Sequence, residues 1–237
     1  MNKRFVSLLL SAYLCRINNQ INIYQMKKYI ITSIILLLSF TAGAQDIEAA
    51  LTEKIQTLDR TYDKPSLQTL ANDFQRIALA DANNWLANYY AAYTNVRLAE
   101  LSEGSTIDSF CDEAEKYLKL AEKQPTADPS EIATLYAYLY SSKVRVNPMM
   151  RGSKYGRTSG QYLQKAIQLN PDNPRPYIVR AVGIYHTPKV FGGGAEKAKP
   201  VLTQAFEKFA KFTPKTPNSP HWGKSMADYL QKEIQKK

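Results

Sequence analysis

The chain has 237 residues, of which 44% are hydrophobic and 22% charged. This composition is typical of a globular protein and excludes a fibrous or intrinsically disordered chain. Half of the formal net charge of +10 comes from the first 45 residues, which hold five Lys or Arg residues and no acidic residue. Only one of the two cysteines, Cys111, lies beyond them, so the rest of the chain forms no intramolecular disulfide.

The sequence from Met26 has the three parts of a secretory signal peptide in the expected order. Lys27 and Lys28 form the positive start, residues 29–40 are largely apolar, and the small residues of a cleavage site end at Ala44. The apolar run is shorter than the ~20 residues that a membrane-spanning helix needs. We therefore predict cleavage after Ala44 and a periplasmic or otherwise exported protein, with an uncleaved anchor as the alternative.

Residues 1–25 form a second, weaker run of basic and apolar residues that ends in polar ones. The simplest interpretation is a mis-assigned extension, which leaves residues 26–44 as the signal peptide and residues 45–237 as a single domain. A lipoprotein signal that ends at Cys15 is the competing interpretation. Leu14 argues against it, because it stands where lipid attachment favours a small residue.

Beyond the signal peptide, apolar residues recur at helical spacing in nine segments, and no segment alternates convincingly as a strand would. Pro, Gly, Asn and Asp separate the segments, and Asp128-Pro129 and Asn173-Pro174 are typical helix starts. The predicted helices are residues 46–61, 66–81, 84–101, 107–123, 129–144, 156–169, 174–186, 195–211 and 222–235. The predicted fold class is therefore all-α.

A small residue, a large apolar residue four positions later and an alanine three positions after that recur as a pattern. The three copies are Ala114-Leu118-Ala121, Ser159-Leu163-Ala166 and Ala198-Leu202-Ala205. Small residues let the two helices of a pair lie close together, which is typical of tetratricopeptide repeats. The copies are spaced more widely than the ~34 residues of a regular repeat. We predict an irregular tetratricopeptide-like superhelix of about nine helices, with an unrelated helical bundle as the alternative.

Several short motifs between residue 84 and the C-terminus form a recognisable set. They are Asn84-Trp85-Leu86 with Tyr89-Tyr90, Ala166-Ile167-Gln168-Leu169-Asn170-Pro171, Asn173-Pro174-Arg175-Pro176-Tyr177, Thr187-Pro188, Phe191-Gly192-Gly193-Gly194, Ala198-Lys199-Pro200 and Pro220-His221-Trp222-Gly223. Together they resemble a family of exported tetratricopeptide-like proteins of Gram-negative bacteria. The resemblance implies a helical repeat architecture and assigns no reaction.

No group of residues in the sequence predicts catalysis, a metal site or a cofactor. Cys111 falls on an apolar helix stripe, which favours a buried position over a reactive thiol. His186 and His221 have no further ligand at metal-binding spacing. The glycines at residues 192–194 precede a helix but lack the lysine and hydroxyl residue of a phosphate loop. We interpret them as a structural turn and expect Phe191 to fill the core beside it.

Charge is distributed unevenly along the chain. Residues 46–131 carry 8 basic and 16 acidic side chains, whereas residues 132–195 carry 9 basic side chains and one acidic side chain. One interpretation is a docking field for an anionic partner. The other is a chance asymmetry on a solvated surface. Nucleic acid is not a predicted partner, because the chain is predicted to be exported.

Tyrosine suits contact surfaces, because its ring is apolar and its tip polar. Tyrosines recur in the predicted first helices of helix pairs, twice at spacing i,i+4, and one of them is followed three residues later by an arginine, which binds carboxylates. The predicted ligand-binding residues are Tyr89, Tyr93, Tyr136, Tyr140, Tyr177 and Arg180. The alternative is that the tyrosines only fill gaps between helices.

We accordingly predict an exported, non-enzymatic scaffold that recognises a protein or peptide with an anionic group through the concave face of the array. Membrane contact is expected only through an uncleaved signal. One alternative, by fold-level analogy, is an accessory subunit of a periplasmic solute uptake system. The other is an uncharacterised enzyme.

Overall fold

The computed structural model describes Lys28 and residues 47–236, and the chain forms two compact units, Met1–Glu48 and Ala49–Lys237. The predicted extension and signal peptide lie outside the described residues except for Lys28, and the single domain 45–237 stays a prediction. In the second unit the described residues form only helices and the turns between them. The predicted all-α class is therefore confirmed for this part of the chain.

The helices follow one another with short connections. Their bounds are α1 (residues 47–58), α2 (Lys64–Ala80), α3 (Trp85–Glu100), α4 (Thr106–Glu122), α5 (Pro129–Val144), the single turn α6 (Pro148–Arg151), a π-helical turn (Gly152–Gly156), α7 (Arg157–Leu169), α8 (Arg175–His186), a 3₁₀ turn (Lys189–Phe191), α9 (Ala195–Lys211) and α10 (Lys224–Gln235). The longer helices match the predicted segments closely. The sequence pattern did not predict α6 or the π-helical turn.

Side-chain caps explain why several helices begin where they do. The carboxylate of Asp128 accepts hydrogen bonds from the backbone N–H groups of Ser130 and Glu131 at the start of α5. The amide oxygen of Asn84 accepts from the N–H of Ala87 at the start of α3. Each cap satisfies N–H groups that have no partner within the helix, so these two starts are encoded locally.

Each helix pair packs through small residues on its second helix. Helix α4 packs on α3, α7 on α5 and α9 on α8. All nine residues of the recurring sequence pattern are buried, and Ala121, Ala166 and Ala205 have no exposed surface. An alanine keeps the two helix backbones close, because its side chain ends at the β-carbon. The burial of these residues agrees with the packing role predicted for the pattern.

Two hydrophobic clusters form the core of this unit. The larger one contains residues of the helices α1, α2, α3, α4, α5 and α7, together with Val179 of α8 and Trp222. The smaller one joins α8, α9 and α10 around Ile178, Leu202 and Leu230. Met226 packs against both clusters, so α8 and α10 link the two parts of the core.

Three glycines reverse the chain between α8 and α9. Gly192 and Gly194 have positive φ angles of 84° and 98°, and a β-carbon on Gly193 would lie 2.2 Å from the carbonyl oxygen of Thr187. The N–H groups of all three glycines donate to backbone carbonyls, so they are not free to bind an anion. Phe191 is 65% exposed, and the expectation that it fills the core is wrong. Phe191 lies in the 3₁₀ turn that Gly192 ends, and backbone hydrogen bonds close this turn without its ring.

Candidate functional site

A buried ion pair joins α5 to α8 at their first turns. Arg175 donates from Nε and Nη2 to the carboxylate of Glu131 over 2.6 to 2.9 Å. The side chains of both residues are at most 4% exposed. The amide of Asn173 donates to the same carboxylate at 2.7 Å. These hydrogen bonds replace the water that a buried carboxylate loses, so the ion pair is a fixed part of the fold.

Aromatic side chains of α3 surround this ion pair. The hydroxyl of Tyr89 donates to Glu131 at 2.9 Å and accepts from the indole N–H of Trp222 at 2.8 Å. The ring of Trp222 stacks on Tyr93 with 4.7 Å between centroids, and Tyr90 contacts Tyr89 and Tyr93 edge to face. We call Tyr89, Tyr90, Tyr93 and Trp222 the inner cluster. Each of its members is at most 7% exposed.

Two of the predicted ligand-binding residues, Tyr89 and Tyr93, belong to this inner cluster. Tyr89 has no exposed surface, and Tyr93 is 4% exposed. Burial raises the pKa of both hydroxyl groups. Their position accounts for them as packing residues. A ligand contact by either residue remains a prediction. It has little support, because at most 4% of either residue is exposed.

Four other tyrosine rings stack in a row that runs from the core to the surface. The ring centroids of Tyr136 and Tyr162 lie 4.9 Å apart, those of Tyr162 and Tyr140 5.7 Å, and those of Tyr140 and Tyr155 6.1 Å. The planes of successive rings differ by 14° to 22°. Tyr136 is buried and donates its hydroxyl to Glu122 at 3.0 Å, whereas Tyr155 is partly exposed. We call these four tyrosines the outer stack.

An open groove of about 480 Å³ lies at the surface end of the outer stack. Its lining residues are Val146, Asn147, Met150, Arg151, Lys154 and Tyr155. The guanidinium of Arg151 and the ammonium of Lys154 lie 5.8 Å and 5.1 Å from the centre of the Tyr155 ring. The groove therefore combines an aromatic ring, a thioether and two cations at an open surface.

Short local structures hold the groove in shape. Tyr155 lies in the π-helical turn, which follows α6 directly. Asn147 caps α6 by accepting a hydrogen bond from the N–H of Met150 at 3.2 Å. Arg151 donates from Nη1 to Asp108 of α4 at 2.7 Å, which attaches the turn to the neighbouring helix pair. Turns of the π type are frequent at functional sites.

Of the remaining predicted residues, Tyr136 and Tyr140 lie together in the outer stack. Tyr177 instead packs against the smaller hydrophobic cluster, and its hydroxyl donates to the carbonyl of Pro171 at 3.0 Å. Arg180 is half-buried on the same helix, and it takes part in no ion pair among the described residues. The structure thus brings Tyr136 and Tyr140 together and places Tyr177 in different surroundings.

The basic segment 132–195 is partly neutralised by the acidic segment before it. The ion pairs are Lys143–Asp112, Arg145–Glu100, Arg151–Asp108 and Arg175–Glu131. The uneven charge along the sequence therefore has a structural role, because it ties helices of neighbouring pairs together. Within the described part of the chain, the other five cations of this segment form no ion pair. They are Lys154, Arg157, Lys165, Arg180 and Lys189.

Cys111 has no exposed surface, which confirms its predicted core position. Burial raises the pKa of its thiol to about 12, so the nucleophilic thiolate is scarce at neutral pH. Across Lys28 and residues 47–236, no three His, Cys, Asp or Glu side chains are grouped as metal ligands. In the same part of the chain, no helix is long and apolar enough to cross a membrane.

Sequence reasoning missed Tyr155, Tyr162 and Met150 as parts of a site. A signal for them is present, because residues 145–157 combine four cations, two methionines and a tyrosine with no acidic residue. That mixture of cationic and apolar residues is unusual for a surface connection. Helical spacing could not reveal it, since the segment contains the unpredicted π-helical turn.

The described part of the chain is an all-helical protein with an open groove at its surface. No protein-family profile and no curated protein matches the chain. The solved structure of the HusA haemophore from Porphyromonas gingivalis is similar, with 35% sequence identity and a TM-score of 0.71 over 80% of this chain and 92% of that chain. The chain therefore belongs to the same protein family as this haemophore. The relationship fits the predicted family of helical proteins from Gram-negative bacteria.

Proposed function

We propose that the protein binds haem or a closely related porphyrin, without catalysis, in the groove beside Tyr155. The observation that carries the proposal is the exposed end of the outer stack, where a tyrosine ring, the thioether of Met150 and two cations line one groove. The family relationship to a haemophore supports haem as the ligand. We further propose that the protein acts after export and that its helix pairs form a tetratricopeptide-like superhelix.

A porphyrin is a flat, largely apolar ring with carboxylates on one edge, so it needs an aromatic or aliphatic surface. Tyr155 offers such a surface, and Val146 and Met150 extend it. The three tyrosines stacked behind Tyr155 limit the movement of its ring. A ring that is already held in place loses less conformational entropy when a ligand binds.

The carboxylates of a porphyrin need cations at the edge of the groove. Lys154 is exposed and has no ion-pair partner among the described residues. Arg151 uses Nη1 for Asp108, and the guanidinium has further N–H groups for a second carboxylate. In this arrangement the two side chains orient the ligand, while Tyr155 supplies the stacking surface.

Titration with haemin, followed by its absorbance, tests the site. Tyr155→Ala should weaken binding about 2- to 10-fold, which corresponds to the ~0.5–1.5 kcal/mol of an aromatic contact. Tyr229→Ala is the matched control, because Tyr229 is a 66% exposed tyrosine on α10. Equal affinities for wild type and Tyr155→Ala would reject the groove as the site.

The role of the cations can be separated from that of the ring with a porphyrin whose carboxylates are methyl esters. Lys154→Ala should weaken the binding of the free acid but should leave the binding of the dimethyl ester unchanged. Tyr155→Ala should weaken the binding of both. A Lys154→Ala effect of the same size on both ligands would show that Lys154 does not contact a carboxylate.

Peptide recognition through the concave face is the second candidate function. Arg180 favours it, because this half-buried cation has no ion-pair partner among the described residues. A peptide with an acidic C-terminal residue should bind more weakly as salt rises, because exposed charges are screened beyond ~8 Å. Arg180→Ala should lower the affinity more than Lys232→Ala does. Salt-independent binding with equal variants would reject this candidate.

A further inference from the structure

The connections that follow α3, α5 and α8 lie at the same edge of the helix array. Hydrogen bonds of Tyr89, Glu131 and Arg175 connect the N-terminal parts of these three helices. At 1.5 Å per residue, the helices end about 17, 20 and 17 Å from those residues, hence at a similar level. At that level Arg145, which follows α5, donates to the carbonyl oxygen of Glu100 at the end of α3.

We call these three connections, residues 101–105, 145–156 and 187–194, the loop edge. Half of the large hydrophobic side chains that are exposed in the described part of the chain lie on it. They are Leu101, Met149, Met150, Val190 and Phe191. The last four are 65% to 83% exposed, so most of their apolar surface is in contact with water. Such a concentration is typical of an interaction surface.

These apolar side chains are held by regular local structure. Met149 lies in α6, which Asn147 caps, and Val190 and Phe191 lie in the 3₁₀ turn that Gly192 ends. The backbone of both connections is therefore ordered without a partner. Binding through these side chains costs little backbone entropy, because folding has already fixed their positions.

The loop edge also carries unpaired positive charge. Residues 145–156 and 187–194 contain no acidic residue, and residues 101–105 contain one, Glu103. Lys154 and Lys189 are exposed and take part in no ion pair among the described residues. The surface therefore presents apolar side chains and cations together, which matches the boundary between lipid tails and anionic headgroups.

We propose that the loop edge docks on an anionic lipid bilayer. Met149, Val190 and Phe191 enter the interface between headgroups and acyl chains, and Lys189 contacts lipid phosphates. A bilayer fits better than a folded partner, because the apolar side chains come from separate connections. A bilayer can accept them without a separate pocket for each side chain. Since the groove beside Tyr155 opens within the same edge, docking brings the groove to the membrane surface. The docking itself requires no porphyrin.

Sedimentation with vesicles tests the proposal. The probes are vesicles of phosphatidylcholine alone and vesicles of equal parts phosphatidylcholine and phosphatidylglycerol. The purified protein should bind the anionic vesicles and should bind the neutral ones far more weakly. Lys189→Ala should lower anionic binding about 5-fold, the typical effect of one lysine near an anionic surface. Equal binding to both kinds of vesicle would overturn the proposal.

The apolar contribution needs its own variant. Replacing Met149, Val190 and Phe191 together by serine should lower anionic binding at least about 10-fold, because the variant removes the side chains that enter the lipid. Leu79→Ser is the control, because Leu79 is 77% exposed at the end of α2, outside the loop edge. Unchanged vesicle binding by the triple variant would overturn the proposal.

The same triple variant separates this proposal from two others. None of its three positions lines the groove, so haemin titration should remain as in wild type. Loss of haemin binding with unchanged vesicle binding would overturn the docking proposal and leave the porphyrin site standing. Sedimentation velocity without vesicles completes the test, because it measures self-association. If the wild type and Leu79→Ser associate and the triple variant does not, the loop edge is an interface between copies of the chain, and the docking proposal is overturned.

Discussion

The inner cluster and the outer stack are built from the same residue type, yet they have different surroundings. Tyr89 and Tyr93 of α3 are covered by Trp222, which reaches them from the segment before α10. Tyr140 of α5 instead stacks on Tyr155, which is partly exposed at the surface. Equivalent tyrosines on successive helix pairs thus serve packing in one pair and extend a surface in the next. The role of each tyrosine therefore depends on whether the segment that carries Trp222 covers it.

The largest expected effect comes from breaking the ion pair inside the inner cluster. Arg175→Ala should lower the free energy of unfolding by about 3–5 kcal/mol, because it leaves the buried carboxylate of Glu131 without its cation. Urea denaturation measures the change. Arg157→Ala is the control, because Arg157 is exposed at the start of α7 and near the outer stack. Equal losses in both variants would contradict the distinction between the two regions.

A second prediction concerns the helix contact beneath the outer stack. Ala166→Leu should lower the free energy of unfolding by about 1–3 kcal/mol, because a larger side chain at this fully buried position forces α7 away from α5. Ser130 of α5 donates to the carbonyl of Ala166 at 2.9 Å, so the same displacement strains that hydrogen bond. Gln168→Leu places the same leucine at an exposed position of the same helix and should change stability little. Similar melting temperatures for both variants would mean that the helix register is wrong.

The tyrosine hydroxyl groups of the two regions should also differ in how much they contribute to the stability of the fold. Tyr89→Phe should cost about 1–2 kcal/mol, because the buried N–H of Trp222 loses its acceptor and Glu131 loses a donor. Tyr140→Phe removes a hydroxyl from a half-buried ring outside that network and should have a much smaller effect. Denaturant midpoints of the two variants give the comparison. A larger loss of stability in Tyr140→Phe than in Tyr89→Phe would contradict this prediction, because it would show that the hydroxyl group in the outer stack contributes more.

The helices were predictable from the sequence because their signals are local. Asp128 and Asn84 cap helices that begin beside them, and the small residues recur at fixed spacing. The division of the tyrosines was not predictable. The pairs Tyr89/Tyr93 and Tyr136/Tyr140 have the same spacing, and Trp222, which covers the first pair, lies 133 residues from Tyr89 in the sequence.

Charge shows the same limit of sequence reasoning. A count of basic and acidic residues cannot reveal that Arg145, Arg151 and Arg175 each meet an acidic residue of the preceding segment. The exposure of Phe191 is a second such case, because helical spacing did not predict the 3₁₀ turn in which Phe191 lies. What the sequence does reveal is where cations and methionines accumulate without an acidic residue, in residues 145–157.

The smallest expected effect concerns the segment that carries Trp222 over the inner cluster. Its neighbour His221 lies 2.8 Å from the carboxylate of Asp59 in the turn after α1. The hydrogen bond with Asp59 raises the pKa of His221 above its usual value of 6.5. The charged pair therefore stabilises the fold fully below pH 6.5, and this stabilisation is lost as the pH rises through the folded-state pKa.

His221→Gln should lower the free energy of unfolding by about 0.2–1 kcal/mol at pH 5.5, and less at pH 8.5, because a partly exposed ion pair is weakened by solvent. Urea denaturation of both proteins at the two pH values measures this difference, and Asp59→Asn should reproduce it. Combining the two substitutions should add little to either alone, since both remove the same interaction. A difference that is constant with pH would show that His221 holds the covering segment by packing, without its charge. The inner cluster would then be closed by apolar contacts alone, and its contrast with the outer stack would not depend on pH.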